Sequence, residues 1–265
     1  MALLIIDKSF LRAASAQDLQ ALGRVHIPVL PPALFYEIMT EPSLSVEDQR
    51  KHYLDKIQNV PFSVCRGIRD LEEKEKRFRR PATDCLDADV TQECRNRIAR
   101  REILGDPEGE VRAHEAENVQ YMRSRLCAVC TDRRFDRLAS VLQNLARELN
   151  CSQLRALVLR SESVARETWG ETYPNLSALA CPRSVAFTNV WLRNYLVLRR
   201  RKDSGLDWSH VSDKALANDY WDNHYIVMLS LADGLVSEDR ILLETARAFF
   251  PRKIFMSLED ITRDS

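Results

Sequence analysis

The chain opens with residues 1–11, MALLIIDKSFL, and their order sets the fold. Ala2–Ile6 are five consecutive apolar residues with no helical period, which reads as a short strand buried on both faces. Asp7 follows at once, then Lys8 and Ser9, then apolar residues again. A carboxylate at the end of a buried strand either shapes the next turn or is held there for chemistry. The choice depends on whether the chain delivers other carboxylates to the same place.

Similar alternation returns only towards the other end. Ser9–Leu22 reads as a helix broken or ended near Gly23, Ile27–Leu30 as a second strand, and Pro31–Pro32 as the preset first turn of a helix over Ala33–Met39. After Gly205, Ser212 can N-cap a helix from Asp213 to about Leu231. GLVSED (234–239) is a turn with a very short strand, Arg240–Phe249 a helix stopped by Pro251, and Lys253–Met256 a last strand. Between them, 41–204 has helical periodicity almost throughout, at 45–58, 66–79, 87–103, 109–128, 132–149, 151–167 and 184–202, and no strand stands out. The expectation is an α/β fold, with a small parallel sheet assembled from both termini (1–40 and 205–265) and a large all-helical insertion at 41–204.

A 45% hydrophobic and 29% charged composition over 265 residues supplies a sizeable core. Apolar runs such as Tyr225–Leu231 are far too short to span a bilayer, and MALLIID lacks the basic start of a signal peptide. The expectation is a cytoplasmic protein without membrane contact. Seven cysteines, an odd number without framework spacing, read as reduced thiols. Net charge is zero, but 41–204 holds thirty basic against twenty-five acidic side chains, and 205–265 six against eleven.

Carboxylates carry the functional signal. On the helix starting at Asp213, the core stripe runs Ala215, Asp219, Asp222, Ile226, Leu229, so two acids share a face with apolar residues. Either both face water, or they are paired or bound to a cation. Asp7 follows the first strand directly, and Asp239 follows Leu235–Val236 through Ser237 and Glu238. In an open parallel sheet, sites form beyond the carboxyl ends of strands. Glu37 lies a turn into the helix after the second strand. Like charges at roughly 4 Å repel by about 4 kcal/mol per pair at an effective dielectric near 20. A divalent cation removes that penalty, and hard oxygen ligands favour Mg²⁺ or Mn²⁺. Such a cluster suits phosphodiester hydrolysis.

In these four places the chain resembles the PIN-domain family of metal-dependent nucleases: IIDKSFL gives Asp7 and Ser9, VLPPALFYEIM gives Glu37, NDYWDNHYIVMLSLADG gives Asp222 with Asp219 as alternative or additional ligand, and LVSEDRIL gives Ser237 and Asp239. The resemblance covers about 1–40 and 205–250. It implies a parallel sheet flanked by helices, and acids that hold one or two Mg²⁺ or Mn²⁺ ions. It implies RNA cleavage to a 5′-phosphate and a 3′-hydroxyl, with Asp7, Glu37, Asp219, Asp222 and Asp239 as the catalytic acids. Asp7, Glu37, Asp222 and Asp239 would bind the metal, and Ser9 and Ser237 would steady the carboxylates. The chain departs from the family in the length of the insertion, in a short loop before the fourth motif, and in Glu238, an extra acid beside Asp239.

Two further function classes stand beside an endoribonuclease: a DNA or structure-specific nuclease of defence or repair, and a non-catalytic PIN-like scaffold for partners. RNYLVLRRRK (193–202) sets Arg193, Arg199, Arg200, Arg201 and Lys202 in a run without an acid, suited to a nucleic-acid backbone or to a solvated helix face. RNRIARR (95–101) is similar, whereas RDLEEKEKRFRR interleaves Glu with its cations. Trp169, Tyr173, Trp191 and Trp208 could stack bases or fill the core. CAVC (127–130) has metal-ligand spacing that Cys85 and Cys94 complete poorly, so small buried helix residues are the expectation rather than zinc. His224 could reach the site or pack. The insertion could also drive homo-oligomerisation or receive a regulatory protein.

Overall fold

A computed structural model describes residues 1–39, 45–100, 108–130, 183–204 and 208–263. They form two compact units: one from described residues of 1–67, 84–113 and 231–265, the other from those of 68–83 and 114–230. The chain leaves the first unit after Gly67 and returns at Asp84, so segments on both sides of that excursion belong with the two termini. These bounds differ from a division at residues 40 and 205.

The first unit is built on a five-stranded, all-parallel sheet in the order β3-β2-β1-β4-β5. Its strands are β1 (Leu3–Ile6), β2 (Ile27–Leu30), β3 (Ser63–Val64), β4 (Gly234–Val236) and β5 (Ile254–Met256). β1 is central, pairing with β2 through Leu3↔Ile27 and with β4 through Leu4↔Gly234. Leu4, Ile5, Ile6, Val29, Leu235 and Val236 are fully buried, which explains the unbroken apolar runs. β5 lies at an edge, and Ile254 is 39% exposed. Gly234 is required where β4 passes β1 and β5. A Cβ there would collide with the Ile254 carbonyl oxygen and approach Leu4 Cδ2 to 2.8 Å.

Around the sheet lie α1 (Lys8–Ala13), α2 (Ala16–Val25), α3 (Pro32–Met39), α4 (Val46–Gln49), a π-type turn (Arg50–Leu54), α5 (Asp55–Ile57), α7 (Ala88–Ala99), α11 (Arg240–Phe249) and α12 (Leu258–Arg263). The intervening α6 (Ile68–Phe78) and the later α9 (Val185–Ser204) and α10 (Asp213–Met228) belong to the second unit, and α8 (Glu108–Cys130) contributes residues to both. In that unit α9 packs against α6 and α10.

Two expectations are corrected. The helix after Asp7 is two helices, and the break falls at Ala14–Ser15 rather than near Gly23, which lies buried inside α2. Ser15 and Asp18 form a capping box that starts α2 anew. The 41–204 region does contain a strand, because β3 extends the sheet beyond β2. Two residues are too few to display a period of two. The helix candidates at 132–149 and 151–167 lie outside the described residues.

Candidate functional site

Where the chain runs β1 to β2 to one side and β4 to β5 to the other, the strand order reverses, and the carboxyl ends of β1 and β4 flank the place where open parallel sheets form their sites. Asp7 and Ser237 are the first residues past those ends. The sheet's hydrogen bonding carries through both, with Asp7 N donating to Val236 O (3.2 Å) and Ser237 N to Met256 O (3.1 Å).

Asp7 is 3% exposed and its carboxylate accepts four hydrogen bonds. Oδ1 takes the Ser9 amide and the Phe10 amide (3.2 Å), capping α1, and Oδ2 takes the hydroxyls of Ser9 (3.0 Å) and Ser237. Each hydroxyl in turn accepts an amide of the β4–α11 loop. Glu238 N donates to Ser9 Oγ at 2.8 Å and Asp239 N to Ser237 Oγ at 2.9 Å, and the two hydroxyl oxygens stand 3.2 Å apart. Two parallel amide–hydroxyl–carboxylate arms therefore tie the loop to Asp7. Burial pushes the Asp7 pKa up despite the four donors, which pull it down.

Asp239 is exposed and caps α11, its Oδ1 accepting Ile241 N (2.8 Å) and Leu242 N (3.0 Å). Its Oδ2 accepts no hydrogen bond among the described residues. Glu238 Oε1 accepts Leu258 N at 2.6 Å, fastening the loop to the start of α12. Glu37 on α3 forms an ion pair with Lys8 at 3.5 Å, so the residue after Asp7 holds the acid of the second motif. The first unit thus gathers Asp7, Ser9, Ser237, Glu238 and Asp239 in one network, and Glu37 pairs with Lys8, the residue beside Asp7.

The other candidates belong to the helical unit. Asp219 is 1% exposed, and Arg200 grips it with two hydrogen bonds, Nε to Oδ2 at 2.5 Å and Nη2 to Oδ1 at 2.8 Å. That fork explains an acid on the core stripe and engages one cation of the 193–202 run. Asp222 is half-buried. Arg193 lies over the Tyr121 ring at 5.7 Å and Arg199 is half-buried; the side chains of Arg201 and Lys202 lie outside the described set. Trp191 is buried against Phe187, and His224 packs among Tyr220 and Trp221, so both serve the core. The Trp208 side chain, Trp169 and Tyr173 lie outside the described residues. Cys127 is half-buried, while Cys85 sits beside Cys65, which it hydrogen-bonds.

For a hard divalent cation, the sheet-end donors fit in kind, being all oxygen, and Asp239 Oδ2 offers an available ligand. Asp7 fits only by exchange. All four of its acceptor positions are filled, so a cation on Oδ2 needs a serine hydroxyl to turn away. Among the described residues no three His, Cys, Asp or Glu side chains form a group able to hold a metal ion, and no helix is long and apolar enough to cross a membrane.

Sequence reasoning missed Lys8 as the partner of Glu37 and Arg200 as the partner of Asp219. The charges were visible, but the pairing depends on tertiary geometry. No protein-family model, curated protein or solved structure matches the chain.

Proposed function

We propose that the chain is a metal-dependent phosphodiesterase that cuts RNA at the carboxyl ends of β1 and β4. One observation carries this reading. The carboxylate of Asp7 and the backbone amide of Asp239, 232 positions away, meet at a single hydroxyl, Ser237, so two acid-bearing residues are neighbours where the strand order reverses. Asp239 would hold Mg²⁺ or Mn²⁺ through its Oδ2 and Asp7 through its own Oδ2, and Glu37 would join once it exchanges Lys8 for the cation. A bound divalent ion supplies an activated water and neutralises charge building on the phosphate. The chain's own contribution is orientation. The amides of Glu238 and Asp239 fix the two hydroxyls, the hydroxyls fix Asp7, and Lys8 keeps Glu37 in reserve.

A second reading is favoured by the saturation of Asp7 and by the capping roles of both aspartates, which are complete without a cation. There the same residues are only a structural knot, and the unit is a scaffold for partners.

Incubating purified protein with labelled single-stranded RNA and Mn²⁺, and in parallel with DNA of the same sequence, separates the possibilities. The nuclease reading expects RNA cleavage by wild type, none by Asp239→Asn, and a Mn²⁺-induced rise in Tm that Asp239→Asn lacks. Cleavage of DNA alone moves the substrate class to DNA. No cleavage and no Mn²⁺ stabilisation of wild type leaves the scaffold.

A further inference from the structure

The stretch 74–80, KEKRFRR, reads in sequence as a charge-mixed helix end, with Glu75 among its cations. Its placement changes that reading. Glu75 is 1% exposed and accepts four hydrogen bonds: from Ala82 N (2.8 Å) and Val185 N (3.0 Å) at Oε1, and from Ser184 Oγ (2.9 Å) and Ala186 N (2.9 Å) at Oε2. The one acid of the stretch is thereby turned inwards and engaged by the start of α9. What remains outside is Lys74, Lys76, Arg77, Phe78, Arg79 and Arg80, all exposed. None of the five cations forms an ion pair among the described residues; the neighbouring exposed acid Glu73 is taken by Arg69 at 3.5 Å. Glu72 receives Asn189 Nδ2 at 2.6 Å.

At the centre stands Phe78, a ring left 56% exposed. The guanidinium carbons of Arg77 and Arg80 lie 5.5 and 5.9 Å from its centroid. Burial does not explain an aromatic at this position, and the two cations hold its orientation. Arg79 adopts a left-handed conformation (φ 51°) that ends α6 and turns the last arginines out of the helix path. An exposed ring among cations that no described acid neutralises matches a polyanion that also carries flat apolar faces. Single-stranded nucleic acid has both: phosphates for the cations and unstacked bases for the ring.

We infer that Lys74–Arg80 is a binding surface for single-stranded RNA, with Phe78 stacking a base and the five cations meeting phosphates. The identity of the polyanion rests on the nuclease reading. The surface itself does not depend on catalysis, so binding is measured with EDTA present.

Fluorescence anisotropy with a labelled 20-nucleotide single-stranded RNA tests it. Five phosphate contacts give a log–log salt slope of about −3.5, so wild-type affinity falls about 100-fold between 50 and 200 mM salt. Arg77→Ala/Arg79→Ala/Arg80→Ala reduces the slope to about −1.4. Phe78→Ala weakens binding roughly 5- to 150-fold at unchanged slope, and Phe78→Tyr retains it. Far-UV circular dichroism and Tm equal to wild type confirm that these exposed changes leave the fold intact. The inference is overturned if wild type does not bind, if the triple variant matches wild type in affinity and slope, if Phe78→Ala has no effect, or if an acidic peptide or heparin binds with the same Phe78 dependence. The two proposals fail separately. Patch variants that bind and cleave like wild type sink the surface alone, whereas binding that depends on Phe78 without Mn²⁺-dependent cleavage sinks the nuclease alone.

Discussion

Replacing Asp7 separates its structural role from its chemical one. Asp7→Ala strands two amides in the first turn of α1, those of Ser9 and Phe10, beside a site that is 3% exposed. The hydroxyls of Ser9 and Ser237 can turn to each other across 3.2 Å, but the amides cannot re-aim. At roughly 1–3 kcal/mol per buried unsatisfied donor, the loss comes to about 4 kcal/mol. Asp7→Asn keeps an acceptor for both amides and replaces Oδ2 by a donor, which the rotated hydroxyl oxygens accept. It removes a buried charge at the same time, so the net change near neutral pH is within about 1 kcal/mol. The pH dependence has a definite sign. Burial raises the folded-state pKa of Asp7 above its unfolded value, so its contribution is complete below the unfolded pKa and is lost as pH rises through the folded one. The stability of wild type minus that of Asp7→Asn therefore decreases from the ordinary aspartate range upwards. Urea unfolding of the three proteins over pH 4–8 measures all of this. An Asp7→Ala loss below about 1 kcal/mol, an Asn variant as unstable as Ala, or a difference that grows with pH would each refute the reasoning.

Other sites give independent predictions. Glu75→Ala removes the acceptor for Val185 N and Ala186 N; hydrogen exchange at these two amides should accelerate at least 10-fold, with an overall loss of about 3–5 kcal/mol, and unchanged exchange would deny the cap. Arg200→Ala leaves Asp219 buried and uncompensated, for about 3–5 kcal/mol, and adding Asp219→Asn should restore part of it; calorimetry showing simple additivity would contradict the pair. Gly234→Ala forces β4 away from β5 and should lower stability by about 3 kcal/mol in urea titrations, a neutral result being incompatible with the strand spacing.

The sheet was legible where buried strands announce themselves. Ala2–Ile6, Ile27–Leu30 and Leu235–Val236 stand out because strands covered on both faces need unbroken apolar residues, and the proline pair at the start of α3 and the Ser212 cap were visible as local chemistry. β3 was hidden, since Ser63–Val64 is short and lies at an edge, where pairing with β2 rather than composition defines a strand. Asp7 and Asp239 were readable as strand-end acids, yet their caps and the bridging Ser237 hydroxyl required the fold. Asp219 shows the limit on the other side. Its stripe position announced burial, but only the distant Arg200 explains it. Glu75 was misleading for the same reason, because a glutamate among lysines looks like surface until its four donors are seen.

The placement of β1 between β2 and β4 has a consequence for how the chain is made. β1 meets β2 after some 24 residues but meets β4 only after 230, which costs about 2 kcal/mol more in loop closure by the logarithmic law. During synthesis, the innermost strand waits with one side's N–H and C=O groups unmatched until residues 234–236 emerge from the ribosome. Slow translation or truncation before that point leaves LLII open to pairing with a neighbouring nascent chain, so chaperone dependence should centre on the first strand.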